Sequence, residues 1–219
     1  MSRIILMAMV LAVTVAGCNR FPDNGLQINS NLLPDDGCLV RGNQEERLLR
    51  GLLDTSYRID GVPRDYVVAL GLTSYLVSNA LEFQGEQNNI QVDNFDITIL
   101  LPDGSKPDLG GLANPYRVTT SAVIPATTPG SVGSTEVGAA TGIPGNYIDP
   151  LLAVLPEEQR SVVLDIRAGG TTFGGFSQRS APFRWPVDFC DGCLLACEAE
   201  NIAESCLPGQ DVWPWCPAL

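Results

Sequence analysis

Ile90-Gln91-Val92-Asp93-Asn94-Phe95-Asp96-Ile97-Thr98-Ile99-Leu100-Leu101 carries the fold in its spacing. Ile90 and Val92 share one parity; Phe95, Ile97, Ile99 and Leu101 share the other. A strand sends alternate side chains to opposite faces, so apolar residues two apart mark one buried face. The change of parity at Asp93-Asn94 is what one extra residue produces, and it predicts a β-bulge or a tight bend there. Pro102-Asp103-Gly104 then supplies a turn.

The same period recurs on both sides. Tyr66 to Val77 places Tyr66, Val68, Leu70, Leu72 and Leu76 on one face. Tyr116 to Ile124 sets Tyr116, Val118, Ala122 and Ile124 against Arg117, Thr119 and Ser121. Val162, Leu164 and Ile166 alternate with Asp165 and Arg167, Gly169-Gly170 is expected to turn the chain, and Gly174-Gly175 to kink it. Phe183, Trp185, Val187 and Phe189 alternate with Arg184, Pro186 and Asp188. Pro182 and Pro186 on the outward set predict an edge strand, because proline has no N–H to give a second neighbour. Between these runs, Gln44 to Leu53 carries Leu48, Leu49, Leu52 and Leu53 in one short helical stripe, or else a polar loop leads to a strand. Pro125 to Gly145 reads as a long loop with a short strand near Val132 to Val137. Pro150 to Gln159 reads as one or two helical turns. Six or more strands without a βαβ rhythm predict a mainly β fold, an antiparallel β-sandwich of Ig-like architecture. The Cys-Trp-Cys spacing of antibody domains is missing, so the Ig-like label is architectural.

Residues 190–219 form a different kind of chain, rich in cysteine and proline, with Trp213 and Trp215 near the end. A helix from Leu194 to Glu204 would put Cys193 and Cys197 on one side of a small cross-linked appendage.

Composition narrows the chemistry. The chain carries a formal charge of −12, has one lysine, Lys106, and shows no arginine–lysine cluster along its length. Neither nucleic acid nor anionic lipid headgroups are therefore expected as partners. Histidine is absent. That removes Ser-His-Asp and Cys-His catalysis and histidine-ligated metals. Acid–base work would fall to carboxylates, phenols such as Tyr57, or Lys106.

Arg3 opens the chain, Ile4 to Ala16 is apolar but for Thr14, and Val15-Ala16-Gly17-Cys18 follows. A charged start, a short apolar run and a small-residue site form a secretory signal; the run is too short for a spanning helix of ~20 residues. The last four residues resemble the lipobox of bacterial lipoproteins. With the strand-rich stretch from Val162 to Phe189 and the Cys190-Asp191-Gly192-Cys193 start of the tail, the layout resembles a group of uncharacterised Gram-negative lipoproteins. The resemblance implies removal of residues 1–17 and a diacylglycerol thioether on Cys18, usually with an amide-linked acyl chain such as palmitate. Two or three chains give stable membrane residence where one is marginal. Asn19, rather than aspartate, after the cysteine implies the outer membrane. Six cysteines remain: Cys38, Cys190, Cys193, Cys197, Cys206 and Cys216. An even number in an exported chain predicts three disulfides, with 15 pairings open.

The expected organisation is a signal peptide at 1–17, a flexible tether at 18–37, a β-sandwich at 38–189 and the appendage at 190–219. The expected function is a non-enzymatic envelope lipoprotein that binds or scaffolds an envelope protein, without a cofactor. A carboxylate-dependent hydrolase acting on envelope polysaccharide is one alternative. A cysteine-based redox or metal module is another: Cys190 to Cys193 has the C-x-x-C spacing, and Cys190, Cys193, Cys197 and Cys206 are four thiols for one ion. Asp93, Asn94, Asp96, Asp103 and Asp108 are a calcium candidate, read first as solvated loop acids. Trp185, Trp213 and Trp215 are read first as packing residues rather than sugar platforms.

Overall fold

The computed structural model describes residues 25–35, 38–42, 47–79, 85–194, 206–207 and 209–211. The strands are β1 (Leu26–Asn31), β2 (Gly51–Asp54), β3 (Arg58–Ile59), β4 (Val62–Pro63), β5 (Tyr66–Ser74), β6 (Ile90–Leu100), β7 (Tyr116–Ile124), β8 (Ser134–Ile143), β9 (Ser161–Thr172), β10 (Ser177–Arg179) and β11 (Phe183–Cys190). One helix, α1 (Gly145–Val154), and a 3-10 turn at Glu157–Gln159 join β8 to β9.

Two sheets face each other. One has three strands in the order β1-β5-β8; the other runs β2-β11-β9-β6-β7, with β10 also paired to β9. β3 and β4 form a separate small ribbon. The pairs are antiparallel except β2 with β11, which is parallel. The Ig-like description extends no further than this two-layer architecture, since the sheets hold three and six strands. Leu26, Tyr66, Val68, Leu70 and Leu72 from the smaller sheet meet Phe95, Ile97, Ile99, Leu164, Ile166 and Val187 from the larger. Their burial is the main stabilising term of the body.

The bulge falls where the parity changes: β6 shifts register between Val92 and Asn94 against both neighbours. Several other expectations are corrected. Gly169 and Gly170 do not turn the chain; they lie within β9, opposite the bulge. A Cβ on Gly170 would overlap the Gln91 carbonyl, so only glycine lets β9 pass the bulged strand that closely. Within the tether expected at 18–37, Leu26–Asn31 is instead a core strand, and Leu26 is fully buried. Its polar residues are spent on the sheet: Asn31 Oδ1 accepts from the Ala69 amide at 2.8 Å, and Asn29 Nδ2 donates to Thr73 at 2.6 Å. Of the two readings of Gln44 to Leu53, the structure shows the strand and not the helical stripe: Gly51–Asp54 is β2, which adds to β11. The short strand in the 125–145 loop is instead ten residues long. Gly138 and Gly142 disguise it, and both lie in tight places of the core. A Cβ on Gly138 would lie 2.8 Å from Leu72 and Phe95, and one on Gly142 would lie 3.1 Å from Val68 and Leu164. The helix begins at Gly145, earlier than expected, with Pro150 inside it. β11 is not an edge strand: β9 flanks Phe183 to Asp188 and β2 flanks Val187 to Cys190. Pro186 falls just before the β2 contact starts, where its missing N–H costs no ladder bond. The appendage helix expected from Leu194 to Glu204 lies outside the described residues apart from Leu194, which is buried.

Candidate functional site

The outer face of the larger sheet gathers charge that is scattered in sequence. Alternation points Asp96, Arg117, Asp165, Arg167 and Arg184 away from the core, and β10 adds Arg179. Pairing register sets Arg117 and Arg167 on either side of Asp96, and Arg184 opposite Asp165. Arg117 donates to both Asp96 oxygens at 2.7 and 3.1 Å, and Arg179 donates to one of them at 2.9 Å. The Arg117 hydrogen bonds hold the Asp96 carboxyl below the usual carboxylate range. Asp165 has looser neighbours: Arg167 Nε at 3.7 Å and Arg184 Nε at 3.6 Å. Those separations exceed a hydrogen bond, so both guanidinium groups keep donors for another acceptor. A depression of about 320 Å³ opens between these side chains, with Thr98, Pro115 and Tyr116 on its walls. A second, of about 400 Å³, shares Asp96, Arg117 and Arg179 with it and is lined also by Asp93, Asn94, Gly169 and Gln178.

Four arginines thus meet on one sheet face of an acidic chain, correcting the expectation of no arginine cluster. The signal lay in the alternation. Each arginine occupies an outward position, but only strand order brings those positions together. Exposed ion pairs of this kind add little to stability and exchange readily for a ligand carboxylate or phosphate.

The cysteines lie toward the far end of the strands. Cys38 bonds to Cys206, and Cys190 bonds to Cys193. Cys18, Cys197 and Cys216 lie outside the described residues. The four-thiol metal site on Cys190, Cys193, Cys197 and Cys206 does not assemble, because Cys206 is bonded to Cys38 and Cys190 to Cys193. Asp54 sits beside the Cys190–Cys193 pair, within 4.8 Å of both sulfurs. Its carboxylate organises the turn. Oδ1 accepts from the Ser56 amide, the Ser56 hydroxyl and the Gly192 amide at 3.0, 2.6 and 2.9 Å, while Oδ2 accepts from the Leu194 amide at 2.7 Å. Burial works to raise the Asp54 carboxyl, but these donors outweigh it and hold the group below its ordinary value.

A second, half-buried carboxylate, that of Asp211, joins the segment after the cysteine-rich turn to the core. The Asp211 carboxylate accepts from the Leu52 amide at 2.8 Å, from Gln210 Nε2 at 3.2 Å and from the Tyr66 hydroxyl at 3.1 Å. Gln210 also caps β5: its side chain bonds Val67 N and Val67 O, each at 2.8 Å. Burial pushes the Asp211 carboxyl up to about 6, with the three donors offsetting only part of the effect. A Cβ on Gly51 would overlap the Tyr66 hydroxyl, so glycine at the start of β2 is what admits the phenol.

The calcium candidate does not form. Asp93, Asn94 and Asp96 line the outer face of β6, and Asp96 is taken by arginine. Asp103 and Asp108 cap separate turns beyond the other end of β6, through Ser105 and Gly110. Among the described residues, Asp54, Cys190 and Cys193 are the one acid–cysteine group close enough to share an ion. Trp185 is buried, and its indole N–H donates to Tyr66 at 2.9 Å. Trp213 and Trp215 lie outside the described residues. No known protein family matches this chain. No curated protein matches it either.

Proposed function

We propose that this chain is a non-enzymatic envelope lipoprotein, anchored in the outer membrane through acyl chains on Cys18, and that its body binds an acidic envelope protein. The anchor rests on Val15-Ala16-Gly17-Cys18 and on the outer-membrane preference that Asn19 implies. The binding role rests on one observation: the Arg117–Asp96–Arg167 row and the neighbouring Arg184–Asp165 pair on an exposed sheet face. Two of these guanidinium groups are held by ion contacts longer than hydrogen bonds, which suits them to fork onto a partner's carboxylates. A carboxylate-dependent hydrolase needs two open, converging acids, one of them raised. Among the described residues Asp211 has a raised carboxyl, and its oxygens are taken by Leu52, Tyr66 and Gln210.

The test is cross-linking in intact cells, followed by pull-down of the full-length protein and of an Arg167→Glu/Arg184→Glu variant. Recovery of one stoichiometric envelope protein, reduced about tenfold or more by the charge reversal, is the expected result. A partner recovered equally by both forms, or no partner, overturns the assignment to this face.

A further inference from the structure

The two ends of the sandwich differ in chemistry. At one end, the start of β1, the end of β5, the lead into β6, the β7–β8 loop and the β9–β10 turn come together. The Tyr75 amide donates to the Gly25 carbonyl at 2.9 Å, the Thr127 amide to Leu76 at 2.7 Å, and the Phe173 amide to Asn89 at 2.9 Å. Asn88 Nδ2 donates to the Val77 carbonyl at 2.6 Å. Five apolar side chains stand exposed on these segments: Tyr75, Val77, Val132, Phe173 and Phe176, with Val132 at 93% and Phe176 at 70% of full exposure. Across residues 74–79, 85–90, 124–134 and 172–177 the sole charged side chain is Glu86, whose carboxylate accepts from Ser78 and Asn88. The opposite end exposes Ile59 and Val62 as well, but sets them among Arg58, Asp60, Arg64, Asp103, Lys106 and Asp149. Among the described residues this leaves one apolar tip with a single charged side chain, and one end where exposed apolar residues stand among charges.

The first described residue, Gly25, lies at that tip. Gly25 precedes β1 and is bonded to Tyr75. Cys18 lies seven residues earlier. Seven residues reach at most about 25 Å. β6 has eleven residues, and at ~3.3 Å each it is roughly 36 Å long. The anchor therefore cannot reach from Gly25 to the charged end.

We propose that this tip is a membrane-contacting surface: Tyr75, Val77, Val132, Phe173 and Phe176 enter the headgroup–acyl boundary of the bilayer that holds the acylated Cys18. The inference rests on the lipid-anchor reading. An aromatic and aliphatic tip with polar, uncharged flanks enters that boundary without desolvating fixed charge, and it needs no anionic lipid. The strands then stand away from the membrane. The arginine face is presented sideways, and the Cys190–Cys193 turn lies at the far end.

The test uses the mature lipoprotein in vesicles of phosphatidylethanolamine and phosphatidylglycerol with brominated acyl chains. Phe176→Trp, Val132→Trp and, as the far-end control, Lys106→Trp are each compared with the parent. The added emission should be quenched about twofold or more for the first two and by less than about a tenth for the control. The mass of the N-terminal peptide is read on the same sample. Acylated Cys18 without quenching of F176W and V132W overturns the tip and leaves the anchor standing; cross-linked dimers in that case identify a second copy as the occupant. Quenching without acylation upholds the tip and removes the anchor. Neither acylation nor quenching overturns both.

Discussion

The Tyr66 hydroxyl lies 3.1 Å from both oxygens of the Asp211 carboxylate and donates to it across 145 positions of sequence. The same oxygen accepts the Trp185 indole N–H at 2.9 Å. One phenol therefore ties β5 of the smaller sheet to β11 of the larger and to the segment that follows the cysteine-rich turn. Tyr66→Phe keeps the ring but strands the indole donor and removes a donor from the half-buried Asp211 carboxylate. Unfolding by denaturant should show a loss of about 2–3 kcal/mol, with the slope unchanged. A loss below about 0.5 kcal/mol would mean that water replaces the phenol without cost.

Asp211 also sets a pH dependence. Its folded value, about 6, lies above the ordinary 3.8, so the folded state holds the proton more tightly than the unfolded chain does. The contribution is fully present below about pH 4 and is lost as the pH rises through about 6, amounting to about 3 kcal/mol at most. Asp54 and Asp96, whose values are lowered, act in the opposite sense and lose their contribution as the pH falls through their folded values. The stability difference between the parent and Asp211→Asn isolates the Asp211 effect. It should shift against the parent between about pH 4 and 6 and be flat above about 7. A difference independent of pH would show that Asp211 titrates normally.

The Cys190–Cys193 turn is held more by Asp54 than by its own disulfide. The disulfide closes a loop with a sequence separation of 3, whereas Cys38–Cys206 spans 168. Chain entropy assigns about 2 kcal/mol to the short loop and about 5 kcal/mol to the long one. Asp54→Ala strands four donors, at about 3 kcal/mol or more. The expected order of destabilisation is Cys38→Ser/Cys206→Ser largest, then Asp54→Ala, then Cys190→Ser/Cys193→Ser. Hydrogen exchange at the Gly192 and Leu194 amides should speed up in the Asp54 variant more than in the double serine variant.

Disulfide mapping under non-reducing conditions should return Cys38–Cys206 and Cys190–Cys193. The even count leaves Cys197 and Cys216, which should be recovered joined to each other. A peptide joining Cys18 to any of the six would contradict the reserved role of Cys18.

Much of the strand pattern was legible in the sequence because inward apolar residues at period 2 are a local signal. The bulge at Asp93-Asn94 was legible for the same reason. Illegible were the places where a residue answers a distant neighbour. Gly169 and Gly170 read as a turn because the bulged strand they accommodate is far away in sequence. Leu26–Asn31 read as tether because Asn29 and Asn31 are polar, and their partners Thr73 and Ala69 are assigned only by strand pairing. β8 read mostly as loop because Gly138 and Gly142 leave room for Phe95 and Leu164 of the other sheet. The arginine face was hidden too, since Arg117, Arg167, Arg179 and Arg184 become neighbours only through strand order.

The most direct test of the account is the intact mass of the mature protein purified from the membrane, taken before and after thiol labelling and reduction. The mature chain should begin at Cys18, carry a diacylglyceryl group and an amide-linked acyl chain, and expose six thiols only after reduction. A mass matching an unmodified chain, or a Cys18 thiol open to labelling, would contradict it.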